Sequence, residues 1–124
     1  MAAQSVTQPA TIYKIATRAA WQTATASGHF TGSADDVRDG YIHCSARHQV
    51  EGTAAKYFKG LENLVLIAIA TDRLGPELKW EASRGGDLFP HLYAPLPTSA
   101  AEWVRALPIG PDGLPLVLEA LGSC

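Results

Sequence analysis

Asn63-Leu64-Val65-Leu66-Ile67-Ala68-Ile69-Ala70-Thr71 is a nearly continuous apolar run of strand length. It shows no alternation of polar and apolar residues, which marks a strand covered on both faces rather than one with a wet side. A chain of 124 residues has room for one comfortable core. The run is therefore predicted to be the central strand of a single layered domain spanning residues 11–124, after a polar, aperiodic tail over residues 1–10 that is expected to be disordered.

Working outward, Thr11-Ile12-Tyr13-Lys14-Ile15-Ala16-Thr17 carries β-branched and aromatic residues with partial alternation and predicts a strand. Thr17 can cap a short helix over 18–27, with Gly28 as its C-terminal stop. A turn-rich connection over 30–37, with room for one helical turn, leads to Asp39-Gly40-Tyr41-Ile42-His43-Cys44-Ser45. That stretch reads as a turn, a short strand and a helix start, with Ser45 as N-cap of an amphipathic helix over 46–59 ended by Gly60. After the apolar strand come a short strand Leu78-Lys79-Trp80-Glu81, a loop around Gly85-Gly86, and a strand and turn over 88–96. A helical turn at 99–103, a strand at 104–109, a tight turn at 110–113 and a last strand or short helix at 114–121 complete the chain. Two early helices followed by a strand-dominated second half predict α+β architecture rather than the regular alternation of a doubly wound sheet.

Composition narrows the function. A formal net charge of -2 and a pI near 6.0 leave no broad basic face, which argues against general nucleic-acid binding. No run approaches the roughly twenty apolar residues of a membrane span, and residues 1–9 lack the basic and apolar regions of a secretory signal, so the expected location is the cytoplasm. Cys44 and Cys124, eighty positions apart, are both expected to be reduced. The sequence offers no reading of oligomeric state.

The chemistry-bearing residues centre on His43. At a strand's end it shares a face with Tyr41 and Ser45, a pattern that fits either a pocket or a core histidine satisfied by a backbone carbonyl. His91 follows Pro90, which stiffens the backbone that presents it; it fits a positioning group or a histidine that fixes a turn. Glu81 beside Trp80 reads as a carboxylate on an aromatic wall or as plain alternation, Trp80 inward and Glu81 outward. Arg84 at the Gly85-Gly86 loop fits a phosphate-gripping or a solvated arginine. No metal site is expected: His43 and Cys44 point to opposite faces, and paired Cys-x-x-Cys or His-x-x-x-His spacing is missing. No Gly-rich dinucleotide fingerprint or nucleophile elbow is present.

Together, Ile12-Tyr13-Lys14-Ile15, Trp21, Gly28, the 39–45 stretch, Gln49, Thr53-Ala54, Leu78-Lys79-Trp80-Glu81 and Leu88-Phe89-Pro90-His91-Leu92-Tyr93 with Pro95-Leu96 resemble the bacterial domain of unknown function 952 family. More distantly, the element order is similar to the ADP-ribosyltransferase fold and its RNA 2′-phosphotransferases. In those enzymes a Leu-Tyr-His-Gly-Thr strand and a His-Val-His-Leu-Ser strand end stand where this chain has Tyr13-Lys14 and Tyr41-Ile42-His43-Cys44-Ser45. The resemblance implies a split, mostly antiparallel sheet with a few helices and an NAD cleft between its halves. It implies His43 and His91 as the catalytic pair, and a cofactor-binding set of Tyr13, Lys14, Tyr41, Ser45, Trp80, Glu81, Arg84 and Phe89. Within that set Lys14 and Arg84 would hold phosphate, and the aromatic residues would form the walls. Lys14 departs from the family's histidine or arginine, and His91 stands near its glutamate. Two functions stay open: an NAD-dependent ADP-ribosyl or glycosyl-group transferase acting on a small nucleotide, or a non-catalytic nucleotide- or protein-binding module.

Overall fold

The chain is layered around β4 (Leu64–Ala70), all seven of whose residues are buried. A computed structural model describes residues 9–122; residues 1–8, 123 and 124, Cys124 and most of the expected tail among them, lie outside the described residues, as does the side chain of Arg84. β4 pairs antiparallel with β1 (Thr11–Thr17) on one edge and β8 (Ala101–Leu107) on the other. Because strand side chains alternate, its residues divide between two cores. Val65, Ile67 and Ile69 pack with Ile12 and Ala16 against Trp21 and Ala24 of α1 (Arg18–Ser27). Leu64, Leu66 and Ala68 pack with Tyr13 and Ile15 against Val50 and Ala54 of α3 (Arg47–Tyr57), and against α4 (Val117–Leu121). Full burial of each large aliphatic side chain stabilises by roughly 1.5–3 kcal/mol, so a strand buried on both faces is the main source of cohesion.

A second antiparallel sheet has the order β3 (Ile42–His43), β6 (Leu88–Leu92), β5 (Leu78–Ala82). Its inner face, Ile42, Leu92, Leu78 and Trp80, closes over the first core. Its other face carries His43, His91 and Glu81. Besides that packing, one backbone bridge links the two sheets among the described residues, where Tyr13 and Ser45 exchange hydrogen bonds of 2.8 Å in both directions. A two-stranded ladder of β2 (His29–Phe30) and β7 (Leu96–Pro97) completes a mixed α+β architecture of antiparallel sheets.

Local chemistry explains the boundaries and several departures from expectation. Thr17 caps α1 by accepting from Ala20 N–H, and Gly28, at φ 93°, ends it. The helical turn expected within 30–37 forms as α2 (Ala34–Asp39), somewhat longer than one turn. Ser33 Oγ accepts from Asp36 N–H while Asp36 Oδ2 accepts from Ser33 N–H, a reciprocal cap, and Gly40 at φ 87° stops the helix. Ser45 is not the N-cap of α3. Ala46 holds that place without a side-chain acceptor of its own, and Gln49 makes the other half of the cap, its Oε1 accepting from Ala46 N–H at 2.9 Å. The predicted strand over 41–45 shrinks to Ile42–His43 plus the Ser45 bridge. The helical turn expected at 99–103 forms earlier, as a 3-10 turn over Thr98–Ala100, and β8 starts at Ala101 because pairing with β4 extends the strand back through Trp103. Residues 117–121 take the helical alternative.

Candidate functional site

A cavity of about 260 Å³ lies beside the Tyr13–Ser45 bridge, with both residues in its lining. β1 contributes Tyr13, Lys14 and Ile15; α2 and its cap contribute Ser33, Asp35, Asp36, Arg38 and Asp39. Tyr41, His43, Cys44 and Ser45 form one side, with Val50, Thr53, Tyr57 and Phe58 from α3 and its end, and Ser83, Phe89 and His91 from the second sheet. The two histidines expected to meet do so: His43 and His91 are direct register partners across β3 and β6, their rings 5.7 Å apart and nearly perpendicular. Tyr41 joins them, stacked on His91 at 4.1 Å and tilted against His43 at 4.6 Å.

His43 is anchored by a carboxylate that the sequence reading overlooked. Asp36, whose side chain is fully buried, accepts from His43 Nδ1 at 2.6 Å and from His43 N–H at 3.0 Å through Oδ1. Its Oδ2 lies 2.9 Å from the Lys14 ammonium. Burial works against ionisation of Asp36, but the His43 hydrogen bond and the Lys14 charge outweigh it and hold the carboxyl well below the ordinary range. Lys14 itself, 6% exposed, donates its remaining reach to His43 O at 2.7 Å. On the other side of the His43 ring, Nε2 lies 3.0 Å from Asp39 Oδ2, whose acidity is raised chiefly by hydrogen bonding to Arg38. Both imidazole nitrogens thus face acceptors. The neighbouring Cys44 thiol is pushed up to about 12 by burial, so it is no nucleophile here.

His91 is held differently. Only 3% exposed, it meets Glu81 Oε1 through Nδ1 at 2.8 Å, and the same oxygen accepts from Tyr93 Oη at 2.7 Å. These two contacts, the tyrosine's first, keep Glu81 ionised to lower pH, and the bond to Glu81 pushes the Tyr93 phenol up to about 12.

The structure therefore brings His43, His91, Tyr13, Lys14, Tyr41, Ser45 and Phe89 to one cavity. Others go elsewhere. Trp80 is no wall of it: on the opposite face of β5 from Glu81, it packs against the first core. Glu81 stands behind His91 rather than in the lining, while Arg84, whose side chain lies outside the described residues, has its backbone in the turn over Arg84–Gly86. Lys14 does not offer a loose ammonium to phosphate, because Asp36 and the His43 carbonyl occupy it. Ser45 Oγ pairs with Thr53 Oγ1 at 3.2 Å. Asp36, Asp39 and Tyr93 were missed. The one available signal was Ser33-Ala34-Asp35-Asp36, whose spacing is that of a capping box. Among the described residues no group of three or more His, Cys, Asp or Glu is arranged to hold a metal ion, and no helix is long and apolar enough to cross a membrane.

The fold and site define a class: a small α+β protein with two antiparallel sheets split around a cavity lined by two carboxylate-backed histidines. The chain belongs to the family described as protein of unknown function (DUF952), which it matches over residues 15–104. It is similar to the protein CC0527 of Caulobacter crescentus, 50% identical. The crystal structure of that protein superposes with a TM-score of 0.88, covering 91% of this chain and 99% of that one. A crystal structure of a double methionine variant of CC0527 gives 0.87 over the same shares, and its solution structure by NMR gives 0.81, covering 92% and 98%. No curated protein matches the chain.

Proposed function

We propose that the cavity receives the nucleoside end of NAD or of a related ADP-ribose nucleotide, and that the protein transfers an ADP-ribosyl or glycosyl group from it. The observation carrying this reading is the pair of imidazoles, opposed in register in a single aromatic-walled cavity and each backed at Nδ1 by a carboxylate. A backed imidazole is oriented and polarised for hydrogen bonding to sugar hydroxyls and for proton transfer. The order of strand, helix and His-Cys-Ser strand end, similar to the ADP-ribosyltransferase fold, points the same way.

Size and charge refine the ligand. A cavity of about 260 Å³ lies just below the roughly 300–1,000 Å³ of pockets that enclose drug-sized ligands, so it takes one nucleoside-sized portion and leaves the rest at the mouth. The lining cations Lys14 and Arg38 are both ion-paired, with Asp36 and with Asp35 and Asp39. A diphosphate therefore gains little inside. The lining sets three carboxylates, Asp35, Asp36 and Asp39, against those two cations, a balance that suits a cationic pyridinium ring. The same acidic surroundings favour the positive charge that develops on the sugar as the base leaves.

The test is thermal denaturation with millimolar NAD, ADP-ribose or nicotinamide riboside. Expected is a rise of a few degrees for NAD, the magnitude that saturating ligand gives a domain of this size, and loss of the rise in His43→Ala. No shift with any of the three would remove the reading. A second reading, binding without turnover, draws on the closed state of His43, both of whose nitrogens already face carboxylates. Release of free nicotinamide separates the two.

A further inference from the structure

The two histidines are not equivalent, and the difference lies in what each ring nitrogen faces. Around His43 both nitrogens meet carboxylate oxygens, Asp36 at 2.6 Å and Asp39 at 3.0 Å. Around His91 only Nδ1 does, at 2.8 Å from Glu81. An ionised carboxylate accepts and cannot donate, so Nδ1 of His91 must carry the proton of that hydrogen bond. In the neutral ring the lone pair then falls on Nε2. That atom has no protein hydrogen-bond partner among the described residues, although the residue is 3% exposed and lines the cavity. Glu81 sits on the β5 side, so Nε2 lies across the ring from it. Such a buried acceptor without a partner is costly unless something else supplies the donor.

We propose that Glu81 and His91 form an acid–base dyad whose Nε2 takes the proton of a hydroxyl, either water or an acceptor alcohol, that attacks the sugar carbon of the bound nucleotide. Glu81 is the positioning residue, and Tyr93 fixes Glu81 by donating to the same oxygen, Oε1. Tyr41, stacked at 4.1 Å, holds the ring plane. The other titratable groups facing His91 are His43 in register on β3 and Lys79 in register on β5. The step rests on the NAD reading above. The hydroxyl O–H gives its proton to Nε2, and the oxygen forms the new bond to the sugar carbon. The carbon–nitrogen bond breaks with its electron pair going to the pyridinium, which leaves as neutral nicotinamide; His91 then returns the proton to solvent. No oxidant or reductant is consumed. The dyad also answers a departure noted in the sequence, a histidine near the position where the resembled fold has a glutamate: here the carboxylate stands directly behind the imidazole.

The experiment has two arms on the full chain. Long-range proton–nitrogen NMR of the histidine side chains, in the free protein, is expected to show neutral His91 with the proton on Nδ1, and a shift toward the other tautomer in Glu81→Gln. A proton on Nε2 in the unsubstituted protein overturns the proposal. In the second arm, nicotinamide release from NAD is expected to fall at least tenfold in kcat for Glu81→Gln, with KM within about twofold, general-base contributions being typically 10²–10⁴-fold. Tyr93→Phe is expected to lose less than Glu81→Gln. An unchanged kcat in Glu81→Gln overturns the proposal. If the unsubstituted protein neither binds nor cleaves NAD, the NAD reading fails, and the dyad stands or falls on the tautomer alone.

Discussion

The two three-stranded sheets are built on opposite rules. In the β1-β4-β8 sheet the central strand has no polar side chain and both faces are sealed under helices or the other sheet. In the β3-β6-β5 sheet only one face is apolar; the other carries two histidines, a glutamate and, beside them, Tyr41 and Tyr93. The first sheet supplies cohesion, and the second holds its two histidines in place through hydrogen bonds at Nδ1 to Asp36 and Glu81. Lys14 is the exception that joins them. It sits on β1, in the cohesive sheet, yet its ammonium reaches across the split to Asp36 and to the carbonyl of His43.

That crossing ion pair gives the largest expected effect. Lys14→Met removes the ammonium paired with the buried Asp36 carboxylate and leaves it only its hydrogen bonds from His43 and Ser33, and breaking such a pair costs up to roughly 3–5 kcal/mol. The urea midpoint reports it, and Lys14→Met combined with Asp36→Asn, which removes the charge but keeps an amide oxygen to accept, is expected to recover part of the loss. A single variant as stable as the parent would show that the pair does not bind the sheets together. The contrast between the sheets themselves is sharpened by Ile67→Ala in β4 against Leu78→Ala in β5. The first should cost about 2–5 kcal/mol, as core truncations do, and the half-buried second about half as much or less. Equal losses would break the comparison.

Acid should act through the polar sheet. Asp36 has its folded pKa held below the ordinary value near 3.9, so the folded state binds fewer protons than the unfolded one across that interval. Its contribution is complete above the unfolded pKa and is lost as pH falls toward the folded one. The urea midpoint of the parent should therefore decline more steeply below about pH 4 than that of Asp36→Asn. Parallel declines would assign the acid sensitivity to other carboxylates. The smallest effect is expected at Glu81→Gln, a change on the wet face of β5 that should move stability by no more than about 0.5 kcal/mol. A larger loss would mean that Glu81 supports the sheet rather than the chemistry of His91.

The elements with strong local signals were legible before any coordinates. β4 announced itself by seven apolar residues in sequence, α1 by Thr17 and Gly28, and the second sheet by the patterns around Leu78 and Leu88. The short pieces were not. α2 is a six-residue helix whose stability comes from its reciprocal cap and from Asp36 reaching inward to Lys14, a residue 22 positions away. Ser45 had the chemistry of an N-cap, but the bridge to Tyr13 takes its carbonyl, which an N-cap gives to the first turn of the helix, and the cap falls to Ala46.

For the site, the sequence by itself determined which residue types were present and which faces of the strands they shared: His43 with Tyr41, Trp80 opposed to Glu81. Those follow from the two-residue period of a strand, which is local. Which groups became partners was decided only by the tertiary structure. Side-chain hydrogen bonds depend on separations of a few tenths of an ångström between elements far apart in the chain. The pairing of Asp36 with His43, the diversion of Lys14 from ligand to ion pair, and the seating of Glu81 behind His91 each join groups on different strands or helices, which only the folded arrangement brings together.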